Sequence, residues 1–141
     1  MRLALAALLL TATAADAAPL TPKQTLAVYA AAGLTVKGTT VTGCAGDTAD
    51  AKGSRFTVVQ TDLNVDGRPE VIVSETNSSC FGTSGHGFTV VGQDIGGRWH
   101  RLGGGIGIAT VLHTRHIGWF DIGIKAPDGP SELHWAGLQY K

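Results

Sequence analysis

Neither sign of charge is in excess in this chain. Its 141 residues carry 11 Lys or Arg and 11 Asp or Glu. A balanced surface of that kind gives no electrostatic reason to expect nucleic acid or an anionic membrane as partner. Cysteine is scarce: there are 2, Cys44 and Cys80. Neither stands just after the apolar start of the chain, which excludes a lipid anchor placed there. Phosphate-cradle and hydrolase signatures are missing too. Gly103-Gly104-Gly105-Ile106-Gly107 has neither the spacing of G-x-G-x-x-G nor a helix after it, and reads as a flexible turn. Gly82-Thr83-Ser84-Gly85-His86 departs from G-x-S-x-G at its last residue. No tandem repeat, linker or second-domain boundary is visible.

What is present begins with Met1-Arg2, a short positive start, and the uncharged run Leu3 to Leu10. Small residues follow, and Ala15-Asp16-Ala17 offers an A-x-A cleavage site. That order predicts a secretory signal peptide over residues 1–17 and a periplasmic or extracellular address. Thr11, Thr13 and Asp16 interrupt the run short of the roughly 20 apolar residues that span a bilayer. No membrane span is expected after signal cleavage. Residues 18–141, about 124 in number, suit a single exported β-rich domain with one core.

Thr21-Pro22-Lys23-Gln24 reads as a helix start, with Thr21 as N-cap, Pro22 first in the helix and Gln24 closing a capping box. Leu26, Tyr29 and Ala30 share one face, and Gly33 is the natural stop. Beyond it the pattern turns to strands: Phe56–Val59, Glu70–Val73, Phe88–Val91, Trp99–Leu102, Ile106–Leu112, Trp119–Ile124 and Leu133–Trp135. The gaps are turn-like, notably Ile95-Gly96-Gly97 and Pro127-Asp128-Gly129-Pro130. With 20 glycines and short connections, the chain is expected to be mainly β (α+β), an antiparallel β-meander of six or seven strands with one short N-terminal helix.

The most specific motif is Asp62-Leu63-Asn64-Val65-Asp66-Gly67-Arg68-Pro69-Glu70. Oxygen ligands recur at positions 1, 3 and 5, Gly67 supplies a sharp turn, and a carboxylate returns at position 9. A hard calcium ion takes six to eight oxygens, and this spacing lets a tight loop wrap one. The alternative is an Asx-type hairpin turn without metal. An EF-hand needs helices and a bidentate Glu where Val73 stands. Strand, D-x-[DN]-x-D-G-x-x-[DE], strand instead resembles the calcium hairpin of FG-GAP and VCBS repeats. The resemblance covers Phe56 to about Val73 and implies Ca2+ held by Asp62, Asn64, Asp66, the Arg68 carbonyl and Glu70. That family usually has glycine where this chain has Val65, a β-branched residue that resists φ > 0. A single copy excludes a whole propeller. More loosely, the order of loop, Cys-Gly-rich turn, aromatic strand and C-terminal Trp/Tyr looks like exported bacterial proteins.

An oxidising compartment favours a disulfide between Cys44 and Cys80. A sharper alternative joins both to His86 as a metal site or thiol nucleophile. The Ser78–Gly87 segment reads as a long glycine-rich hairpin. His113 and His116 have metal-like spacing but face opposite sides of a strand, and His134 could lie beside Asp121 on an outer face. Trp119 and Trp135, if exposed together, would form a patch suited to a partner. Two functions follow. One is an exported non-enzymatic binding or structural module of the cell envelope, stabilised by one calcium ion and recognising an envelope protein or glycan. The other is a small secreted hydrolase with a Ser/His site in the Cys80 to His86 loop.

Overall fold

The N-terminal helix forms where its capping residues place it. The computed structural model describes residues 17–46 and 55–141, so the expected signal peptide lies outside the described residues apart from Ala17. Helix α1 (Pro22–Ala31) has Thr21 at its N-cap, with the Thr21 and Gln24 side chains each accepting from the other's backbone N–H. A cap of this kind contributes about 1 kcal/mol. At the other end Gly33 takes φ +92°, and Gly33 and Leu34 donate back to Ala30 and Tyr29, a Schellman stop. The buried stripe is Val28 and Ala32 with Tyr29 beside them, not Leu26, Tyr29 and Ala30, and Ala30 is exposed. The helix rotates to lay its β-branched residue on the sheet.

Nine strands in three antiparallel sheets follow among the described residues, rather than six or seven in one meander. A small hairpin, β1 (Thr35–Lys37) and β2 (Thr40–Thr42), stands alone. The main sheet has the order β3 (Phe56–Thr61), β4 (Glu70–Thr76), β5 (His86–Gln93), β6 (Trp99–Ile106). The third contains β7 (Ile108–His116), β8 (Trp119–Ala126) and β9 (Gly129–Leu133). Strands β6 and β7 are separated by one residue. Gly107 sits at φ +131°, and a Cβ there would lie 2.6 Å from Ile124 Cγ2 and 2.8 Å from the Lys125 carbonyl oxygen. Only glycine bends there without strain, so the expected strand Ile106–Leu112 is broken between sheets. Gly103 to Gly105 are the end of β6, not a flexible turn. A Cβ on Gly104 would meet the Phe88 carbonyl oxygen at 2.4 Å, and one on Gly103 would meet Tyr140 Cβ at 2.8 Å. Close approach of backbone, not mobility, is what these glycines permit.

The main sheet is covered on both faces, which is why consecutive residues Val71, Ile72 and Val73 of β4 are all apolar and buried. Val71, Val73 and Val91 pack under Val28 and Ala32 of α1. Ile72, Phe88, Val90 and Leu102 face the other way, onto Ile122, Ile124, Trp135 and Tyr140. Glu70 shares its face with Ile72 by the period of two, so this carboxylate points between the sheets. A second helix, α2 (Ser78–Phe81), occupies the expected glycine-rich hairpin. It starts where the Asn77 side chain accepts from Ser79 N–H at 2.9 Å, and it carries Cys80, which is disulfide-bonded to Cys44. No helix among the described residues is long and apolar enough to cross a membrane.

Candidate functional site: an acidic hairpin beside an aromatic cleft

The hairpin between β3 and β4 is organised by its own side chains. Asp62 accepts from the N–H groups of Asp66 (3.1 Å) and Gly67 (2.9 Å), and Asn64 Oδ1 accepts from Asp66 N–H at 3.0 Å. These bonds carry the chain through Val65 at φ +60° and Gly67 at φ +82°. The β-branched Val65 therefore adopts the conformation that it resists, at a cost of order 1–3 kcal/mol. Asp66 bonds the Arg68 guanidinium at 2.8 Å. Burial opposes ionisation of Asp66, but the Arg68 N–H and guanidinium together with Asn64 outweigh it and hold the carboxyl below its ordinary range.

Position 2 of the hairpin anchors it in the core. Leu63 is fully buried, its N–H donates to Glu70 Oε2 at 2.7 Å, and its carbonyl accepts from Phe120 N–H at 2.8 Å. Glu70 is 4% exposed. Burial raises its pKa, the Leu63 bond lowers it, and the charges of Asp66 and Asp62 raise it further, to about 7. Among the described residues no cationic side chain is bonded to this carboxylate; Arg68, paired with Asp66, acts on it only through its charge.

A cleft of about 240 Å³ opens over Glu70, with Asn64, Arg68, Gln93 and His100 as polar lining and Trp119 as its aromatic wall. Trp119 stacks on Trp135 with ring centroids 4.0 Å apart and an interplanar angle of 15°, and Tyr140 meets both edge-on. The stack is not the exposed pair that would make a flat sticky patch, because Trp135 is 8% exposed and belongs to the core. The exposed apolar element at the rim is Leu138.

A second constellation, partly visible in the sequence, lies on the C-terminal sheet. Pairing of Arg115 with Phe120 and of His116 with Trp119 sets Thr114 across from Asp121, and pairing of Ile122 with Leu133 carries His134 to its other side. His116 Nδ1 lies 2.8 Å and His134 Nδ1 3.1 Å from Asp121 Oδ1. The expected neighbour His134 is therefore there, but Asp121 is fully buried, not on an outer face. Burial opposes its ionisation, yet Thr114, His134 and His116 outweigh that and hold the carboxyl below its ordinary range. His113 is exposed and stands apart.

The remaining candidates do not converge. Ser84 Oγ donates to the His86 backbone carbonyl at 3.3 Å, not to its imidazole, and His86 Nδ1 instead faces Thr76 Oγ1 at 3.3 Å. With Cys44 and Cys80 bonded to each other, the reading of both with His86 as a thiolate metal site or nucleophile is overturned. Comparison of the chain with family models, with curated proteins and with solved structures gives no match. The site is therefore read from its own geometry.

Proposed function

We propose that this chain is an exported, non-enzymatic binding module of the cell envelope, periplasmic or extracellular, whose Asp62–Glu70 hairpin holds one calcium ion. In this reading the adjoining cleft takes an envelope glycan or a protein segment. The observation that carries it is Glu70: a carboxylate buried to 4% exposure, accepting the Leu63 N–H, with Asp62 and Asp66 as like-charged neighbours. Buried charges are costly unless paired or bound to a metal. Asp62, Asn64 and Asp66 side chains, the Arg68 carbonyl and Glu70 would supply hard oxygen donors of the kind calcium prefers. The resemblance of the segment to FG-GAP and VCBS hairpins supports the same ligand set.

The calcium would offset the repulsion that the hairpin carries, and Arg68 would be freed to face the cleft when Asp66 turned to the ion. A cleft with one aromatic wall, several neutral hydrogen-bonding groups and an exposed Leu138 suits a polar ligand with an apolar face, as sugars have. The hydrolase alternative lacks comparable support, since nothing activates Ser84.

The test is calcium titration followed by calorimetry and melting. Asp62→Asn removes the charge and keeps one of the two acceptor oxygens that Asp66 and Gly67 use. At a hundredfold excess over Kd, calcium should stabilise the native chain by about 2.7 kcal/mol, and Asp62→Asn should remove most of that gain. Magnesium should be a poorer substitute. Absence of both binding heat and a melting shift at millimolar calcium would refute the reading.

A further inference from the structure

The C-terminal sheet carries a second grouping with the make-up of a metal site. One ligand atom each from His116, Asp121 and His134 lie within 4.8 Å of one another. They come from the end of β7, the middle of β8 and the residue after β9, brought together by strand register. In a tetrahedral zinc site with bonds of about 2.1 Å, donors stand about 3.4 Å apart. Here the two His–Asp separations are 2.8 and 3.1 Å, so these two edges reach a zinc-like spacing with an opening of about 0.3–0.6 Å.

The polar accounting points the same way. Asp121 is fully buried, and its Oδ2 meets no partner in hydrogen-bonding geometry among the described residues, although Thr114 and both histidines stand close enough to favour the carboxylate's charge. His134 Nδ1 is also buried without one, because its approach to Asp121 Oδ1 lacks hydrogen-bonding geometry. A buried carboxylate oxygen and a buried imidazole nitrogen without well-formed bonds are costly. A cation between them satisfies both. Imidazole nitrogens select zinc and its neighbours over calcium. The His116 and His134 side chains are 52% and 42% exposed, so an ion can enter and water can complete its coordination. Glu132 Oε2 lies 3.9 Å from His134 Nε2, within ion-pair reach but beyond hydrogen-bonding distance.

We infer that His116, Asp121 and His134 form a binding site for one divalent transition-metal ion of the zinc class, independent of the acidic hairpin. It would tie β7, β8 and the segment after β9 into one unit.

The experiment titrates the full chain with cobalt(II), read by its d–d absorption, and with zinc(II), read by calorimetry against a competing chelator. One equivalent should bind, with cobalt bands of a four- or five-coordinate N/O site. His116→Ala and His134→Ala, both at half-exposed positions, should each weaken binding by more than about 100-fold. Asp62→Asn should leave it unchanged. In the unaltered chain, zinc should shift the ring resonances of His116 and His134 and spare His113 and His100, a readout that needs no variant to fold. Absence of cobalt bands together with absence of zinc heat would overturn the inference. So would zinc binding that shifts neither His116 nor His134, or that Asp62→Asn weakens as much as the histidine variants do.

Discussion

Replacing Glu70 by glutamine should stabilise the metal-free protein, and only at the alkaline end of its range. The amide keeps an oxygen to accept the Leu63 N–H, which lies 2.7 Å from Glu70 Oε2, but it carries no charge between the sheets. The Glu70 pKa is raised from 4.5 to about 7, by burial first and then by Asp66 and Asp62 against the opposing Leu63 bond. A folded pKa above the unfolded one means that the native state holds a proton which the unfolded state has released. Stability is therefore lost as pH rises from about 4.5 to 7, by about 3 kcal/mol for a shift of that size. The glutamine variant has no such loss. Urea unfolding of both proteins in chelator should give similar stabilities near pH 4.5 and a gap of about 3 kcal/mol in favour of Glu70→Gln at pH 8. The other ionisable groups are common to both proteins, so they cancel in the difference. Calcium added at pH 8 should narrow the gap by stabilising only the parent chain. Two parallel pH profiles would show that Glu70 is not held in a desolvated, like-charged setting, and the reasoning for the hairpin would fail with it.

Two further expectations follow from the scaffold. Reducing the Cys44–Cys80 disulfide, which closes a separation of 36 residues, should cost about 4 kcal/mol in the chain-entropy model. Chemical denaturation with and without reductant measures it, and an unchanged midpoint would refute it. Gly107→Ala should cost about 3 kcal/mol and lower Tm by about 10 °C, because φ is +131° and the added Cβ would meet Ile124 and Lys125. A variant that melts with the parent would show that the bend is tolerant.

Much of this was legible because local chemistry decided it. Thr21, Gln24 and Gly33 mark the helix by hydrogen bonds made within a few residues. Phe56–Val59, Glu70–Val73 and Phe88–Val91 are strands that their β-branched content announces, and Pro127-Asp128 is the tight connection between β8 and β9. The hairpin β1–β2 was missed, although Thr35-Val36-Lys37 and Thr40-Val41-Thr42 alternate about Gly38. Helix α2 was missed because Gly82 and Gly85 suggested a loop, while the Asn77 cap that starts it is a single side-chain bond. Division into separate sheets rests on Gly107, and nothing local distinguishes a glycine that bends between sheets from one that relieves crowding within a strand. The His116/Asp121/His134 group depends on register across β7, β8 and β9, including the irregularity between Val111 and Arg115. One signal was available: Asp121 between Phe120 and Ile122 is a carboxylate inside an apolar strand, and such a residue needs partners.

The pairing pattern also carries a statement about how the chain reaches this state. Within both larger sheets every strand pairs with its neighbour in sequence, so each sheet can zip up from hairpins at small loop-closure cost. The contacts that lock one sheet onto the other span far more of the chain: Phe120 N–H to the Leu63 carbonyl, and Tyr140 N–H to the Leu102 carbonyl. Docking of the two sheets, rather than strand pairing, is then expected to be the slow event, with the segment from His134 to Lys141 as the latch. Amide exchange should report the same order, with the Tyr140 latch opening before the hairpins that it holds together.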